Sequence, residues 1–156
     1  MSASPYITPD GQKRLSEELS YLWKIKRPQV TQAVAEAAAM GDRSENAEYI
    51  YGKKQLRQID SRMRFLAKRL RELIVVDRIP DDTAKVFFGA WVKIEDTDGN
   101  VYEYRIVGAD EFDPKKNFIS IDSPMAKALL RKTAGDEIIV NRPTGPTAFV
   151  LTAVRY

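Results

Sequence analysis

The chain has 156 residues, 30 % of them charged and 44 % apolar, with a net charge of +3 and neither cysteine nor histidine. Those two absences exclude disulfide frameworks, thiolate or imidazole metal sites, and the Cys/His and Ser/His forms of nucleophilic catalysis. Any bound metal has to be held by oxygen ligands, which selects Mg²⁺, Ca²⁺ or Mn²⁺. The longest apolar runs are interrupted by charge and too short to span a bilayer. The opening MSASPYITPDGQ lacks the basic and apolar regions of a signal peptide, so the expected compartment is the cytoplasm.

The length suits one medium domain or two small ones. Charge is uneven along it: residues 1–76 carry 14 basic and 9 acidic side chains, residues 77–156 carry 11 and 13, so the net charge splits as +5 and −2. Such a step suggests two parts with different partners, and we expect domains at 1–76 and 77–156.

Thr8-Pro9-Asp10 is a helix start, with a hydroxyl at the N-cap, proline at the first helical position and an acid in the first turn. Leu15, Leu19 and Leu22 continue the helical period, and Pro28 is predicted to bend or locally break it. Val30, Val34 and Ala37 resume an apolar face, and the alanine-rich stretch Ala33–Met40 favours helix and close packing. Gly41 ends this helix at C′. A second begins within Asp42-Arg43-Ser44-Glu45, and its apolar positions Leu56, Ile59, Met63, Leu66, Leu70 and Leu73 alternate steps of three and four, a heptad seam. Together these predict an antiparallel coiled-coil hairpin with arms of roughly 45 Å.

The second half changes period. Short strands are predicted at 86–88, 91–94, 101–107, 118–121, 138–140 and 148–154, separated by turn signals such as Asp98-Gly99-Asn100. Ser123-Pro124-Met125 opens one short helix running to about Lys132. The fold class is therefore α+β: a helical hairpin followed by a small antiparallel sheet carrying one helix.

Three features bear on chemistry. The turn Gly41-Asp42-Arg43-Ser44-Glu45-Asn46 has two readings. Asp42 at an N-cap with Glu45 three residues on is a capping-box pair. Alternatively, two carboxylates at a remote tip help hold a divalent cation, weakly on their own because Mg²⁺ wants six oxygens. On the outer face of the second helix, Lys53, Lys54, Arg57, Arg62, Arg64, Lys68, Arg69 and Arg71 are interrupted only by Asp60. A solvated helix face usually mixes signs, so this excess points to a polyanion such as nucleic acid. Tyr49 and Tyr51 suit either base stacking or packing between the arms. The third feature is the apolar set Phe87, Phe88 and Trp91, expected in the core. The segment Ile121–Met125 reads equally as a helix entry or an exposed docking edge.

The run GDRSENAEY at 41–49, set between a proline-bent helix and a basic heptad helix, resembles the Gre transcript cleavage factors of bacteria. The later segments VFFGAWVKIED, YRIVG, ISIDSPMAKALL and GDEIIV match the same layout over essentially the whole chain. Arg43-Ser44 and the broad basic face are more similar to the GreB branch than to the GreA branch. The resemblance implies an FKBP-like second domain that docks on the rim of the RNA polymerase secondary channel through Asp122, Ser123 and Pro124. It implies that Asp42 and Glu45, supported by Arg43, Ser44 and Asn46, share a Mg²⁺ with the polymerase active site. The basic residues Lys53, Lys54, Arg57, Arg62, Arg64, Lys68 and Arg69 would hold the 3′ segment of backtracked RNA. The chain itself would be no enzyme, would act as a monomer without a membrane, and would activate cleavage by its partner.

Overall fold

The computed structural model describes residues 3–41 and 46–156. They form two compact units: Gln12–Glu72, and the residues up to Gly11 together with Leu73–Tyr156.

The first unit is the helical hairpin. Helix α1 (Pro9–Tyr21) runs through a five-residue π-helical turn, Leu22–Lys26, into α2 (Arg27–Ala39). Thr8 caps α1 as expected, its hydroxyl accepting from the Gly11 N–H at 3.1 Å. The π turn is the answer to Pro28. Proline has no N–H to give and its ring collides with the carbonyl four residues back. Here the Arg27 N–H reaches back to the Leu22 carbonyl, so the turn widens just before the proline and the chain stays helical instead of breaking.

Helix α3 (Ala47–Glu72) forms the other arm; its 26 residues give a length of about 39 Å. The predicted seam is the buried one: Leu66 is fully buried and Ile59 nearly so, with Leu15, Val30 and Ala37 buried on the facing arm. Near the turn, Gly52 lets the arms close up. A Cβ at that position would lie 2.5 Å from Val34 Cγ2.

In the second unit, β1 (Tyr6–Ile7) pairs in parallel with β2 (Ile74–Val75). The main sheet has the order β5-β4-β3-β7-β6, built from β3 (Trp91–Asp96), β4 (Val101–Val107), β5 (Phe118–Ser120), β6 (Glu137–Arg142) and β7 (Gly145–Arg155). One helix, α4 (Pro124–Leu129), packs on it over a core that includes Val86, Val92, Ile94, Ile106, Leu129 and Leu151. The α+β class is as expected.

Several details differ from the expectation. The sheet is mixed, because β5 runs parallel to β4 after a crossover through two 3₁₀ turns, Ala109–Glu111 and Pro114–Lys116. Residues 86–88 form no strand. Val86 instead exchanges backbone hydrogen bonds with Lys132 and Arg131 in the loop after α4, and Gly89 turns the chain at φ +89°. Helix α4 ends at Leu129, earlier than expected, because Leu130 leaves helical geometry and Arg131 takes a left-handed φ of 69°. Phe87, Phe88 and Trp91 are half-buried rather than core. Strand alternation turns Val92 and Ile94 inward and Trp91 outward, where the Arg155 guanidinium lies 4.8 Å from its ring centroid.

Residues 3–11 lie in the same compact unit as Leu73–Tyr156. Strand β1 supplies part of the reason and the buried carboxylate of Glu111 the rest. It accepts from the Thr8 N–H (3.0 Å), the Thr8 hydroxyl and the Gly108 N–H (2.7 Å). A side chain at Gly108 would collide with the Tyr6 carbonyl, and one at Gly11 with the Glu111 carboxylate. Two glycines and one buried acid thus seat the N-terminal segment, with every donor matched.

Candidate nucleic-acid interface

The tip of the hairpin is organised by Asn46. Its Oδ1 accepts from the Tyr49 N–H at 3.1 Å, which makes it the N-cap of α3. Its Nδ2 donates to the Ala37 carbonyl at 2.6 Å, tying the start of α3 to the last turn of α2. Helix α2 closes at Met40, and Gly41 follows directly. One amide therefore satisfies an orphan donor of one helix and an orphan acceptor of the other. The capping pattern in the sequence points to Asp42; the cap lies at Asn46. Asp42, Arg43, Ser44 and Glu45 lie outside the described residues. Of the tyrosines, Tyr51 is 68 % exposed and Tyr49 half-buried.

The basic residues of α3 separate into two groups. Lys53, Arg57, Arg64, Lys68 and Arg71 follow one another at intervals of four, seven, four and three. At 100° per residue they fall within a stripe about 60° wide, centred roughly 130° round the helix from the buried seam. All five are exposed, and none closes a salt bridge among the described residues. Asp60, the one acid in this run, turns toward α2 and receives Arg27 Nε at 2.8 Å. The Arg27 guanidinium holds the Asp60 carboxyl below its ordinary range, so it stays ionised and occupied. The stripe is left uniformly positive.

The other cations flank it. Arg62 meets Glu18 of α1 in a bidentate pair, 2.6 and 2.9 Å, and that hydrogen bonding lowers the Glu18 pKa despite partial burial. Arg69 has only 11 % of its side chain exposed and lies 3.9 Å from Glu72. Lys54 is exposed and borders an open groove of about 640 Å³ with Arg57, Gln58, Ser61, Arg62 and Phe65. The sequence reading does not single out Phe65. Its signal there is an aromatic residue one step off the heptad seam, where no partner helix can cover it.

In the globular unit, Asp122 accepts from the Ser4 N–H at 2.9 Å and from the Ser4 hydroxyl. Ser123 caps α4, accepting from the Ala126 N–H at 3.2 Å, and Pro124 follows at the first helical position. Ser123 and Pro124 also line an apolar groove of about 260 Å³ with Tyr104, Phe112, Ile119 and Met125. Phe112 is 59 % exposed there. Among the described residues no group of three or more acids could hold a metal ion, and no helix is long and apolar enough to cross a membrane.

Comparison with known proteins adds a second, independent line. Residues 5–75 match the model for the transcription elongation factor N-terminal domain (GreA/GreB), and residues 81–156 the model for the GreA/GreB C-terminal domain. Transcription elongation factor GreB of Haemophilus ducreyi is 58 % identical over 156 residues, covering 100 % of this chain and 96 % of that protein. Its counterparts of Yersinia pestis and Pseudomonas aeruginosa are each 57 % identical, covering 100 % and 99 % of this chain and 91 % and 92 % of theirs. The crystal structure of GreA factor homolog 1 of Thermus thermophilus is 23 % identical, covers 97 % of this chain and 98 % of its own, and superposes with a TM-score of 0.43. Two family models that together span nearly every residue, and relatives well over half identical along the full length, establish that this chain belongs to the transcription elongation factor GreA/GreB family.

Proposed function

We propose that this protein is a transcript cleavage factor, an elongation factor that enters the secondary channel of bacterial RNA polymerase and stimulates cleavage of backtracked nascent RNA. The observation that carries the reading is the one-signed stripe on α3. It leads back along a rigid helix to a turn whose sequence holds two acids and whose flanking helices are pinned by Asn46. The elongation-factor part rests further on membership of the GreA/GreB family.

Lys53, Arg57, Arg64, Lys68 and Arg71 attract RNA phosphates without regard to base, which suits a transcript of any sequence. Asp42 and Glu45 are hard oxygen donors of the kind Mg²⁺ takes, and two are too few to hold the ion alone. The donor set fits a site completed by the polymerase. When bound, Mg²⁺ supplies an activated water and stabilises the leaving oxygen of phosphodiester hydrolysis. This chain's part is to bring the two carboxylates to that place, with Arg43 and Ser44 next to them in sequence and Asn46 joining the helices on either side. Ser123 and Pro124, at the mouth of the apolar groove, form the docking edge for the channel rim. Asp122 holds the N-terminal segment against the same edge.

The test is a stalled, backtracked elongation complex assayed for a shortened RNA 3′ end with and without the protein. Asp42→Ala and Glu45→Ala should each abolish the stimulation while polymerase binding persists. An effect on transcription that survives both substitutions would mark a channel blocker and overturn the reading.

A further inference from the structure

The groove on α3 holds a feature that phosphate contacts do not use. Phe65 is 48 % exposed on a helix whose seam is otherwise well buried. The Arg62 guanidinium lies 5.4 Å from its ring centroid, and the bidentate pair with Glu18 keeps that guanidinium in place across the hairpin. Ring and guanidinium are both planar π surfaces of the kind on which bases stack. Lys54 and Arg57 stand on the same groove, and neither closes a salt bridge among the described residues. The lining contains no acid. Arg57 belongs both to this groove and to the phosphate stripe, so the two surfaces are continuous.

From this we infer that the Phe65–Arg62 pair is a stacking site for one base of the single-stranded RNA extruded from the polymerase, with Lys54 and Arg57 neutralising the adjoining phosphates. The inference rests on the proposed role of α3 in holding that RNA. A lining that combines an exposed aromatic with three cations and no acid fits single-stranded nucleic acid, which brings phosphates to the cations and a stackable base to the ring. Stacking is indifferent to base identity, as a factor acting on any transcript requires, and it adds grip that charge alone loses at high salt.

The test uses the full-length protein and elongation complexes backtracked far enough to extrude several nucleotides, carrying either normal or abasic residues in the extruded segment. With normal RNA, Phe65→Ala should lower cleavage stimulation at limiting factor about tenfold, and Phe65→Trp should restore it. With abasic RNA, the parent should fall to the Phe65→Ala level, and Phe65→Ala should lose nothing more. If Phe65→Ala matches the parent on normal RNA while charge reversal at Lys53 and Arg64 still impairs cleavage, stacking is refuted and phosphate holding stands. If the loss is the same on normal and abasic RNA, Phe65 touches the polymerase instead of a base, and the inference is again refuted. If neither Phe65→Ala nor the charge reversal has any effect, the RNA-holding role itself falls.

Discussion

Asn46→Ala removes two contacts at once, and their sum can be worked out. Loss of an N-cap costs about 0.5–2 kcal/mol. Loss of the side-chain hydrogen bond to the Ala37 carbonyl adds about 0.5–1.5 kcal/mol. The expected cost is therefore about 1–3 kcal/mol, concentrated at the tip rather than spread over the hairpin. The local readout is amide hydrogen exchange of Tyr49 and Ile50, whose N–H groups bond the Asn46 side chain and carbonyl. Their protection should drop about tenfold for each 1.4 kcal/mol lost. Asn46→Asp separates the two parts: it keeps an oxygen acceptor for Tyr49 but replaces the donor to Ala37 with a repelling oxygen. It should retain protection at Tyr49 and loosen the end of α2. Because the tip acids lie in sequence between Ala37 and Asn46, Asn46→Ala should also reduce cleavage stimulation while leaving polymerase binding in place. Unchanged exchange at Tyr49 and Ile50 in Asn46→Ala would refute the claim that this amide holds the turn.

Two further outcomes follow from the packing of the hairpin. Gly52→Ala would put a methyl 2.5 Å from Val34 Cγ2, and overpacking costs about 1–3 kcal/mol against a helix-propensity gain of about 1 kcal/mol. Urea unfolding should therefore show net destabilisation, and adding Val34→Ala should recover stability; a more stable single variant would contradict the close approach. The Glu18–Arg62 pair makes a pH prediction. Because Arg62 lowers the folded pKa of Glu18, its contribution is present above the usual glutamate value of about 4.3 and is lost as pH falls through the lowered folded value. The pair is partly exposed, so its worth is at most about 1 kcal/mol. Glu18→Gln should flatten the stability profile below about pH 4.3 and leave it nearly unchanged in slope at neutral pH.

Periodicity carries the hairpin. The seam from Leu56 to Leu70, the cap at Thr8 and the disturbance at Pro28 are local signals, each set by residues within one or two turns, so they are legible in the amino-acid order alone. The central strands from Trp91 to Val107 are legible for the same reason. The misreadings share a cause. Residues 86–88 have strand composition, but their backbone partners are Arg131 and Lys132, and no local pattern reports a partner that distant. The parallel entry of β5 likewise depends on long-range contacts; so does the seating of residues 3–11 on the globular unit, where Thr8 meets Glu111 about a hundred positions away.

The division is the same for the candidate interface. Sequence alone determined that the chain carries an excess of cations along one helix face, that any metal it binds must take oxygen ligands, and that two acids lie between the two arms in the amino-acid order, because residue type and spacing dictate each of these. Only the tertiary structure decided which cations are neutralised. Asp60 is the one acid within the basic run, and the run alone does not say which cation it meets. Packing of the arms turns Asp60 to Arg27 and draws Glu18 to Arg62, leaving a stripe of five exposed cations that close no salt bridge among the described residues and an arginine held over Phe65. Charge is written in the chain, but its neutralisation depends on distances that exist only once the helices have packed.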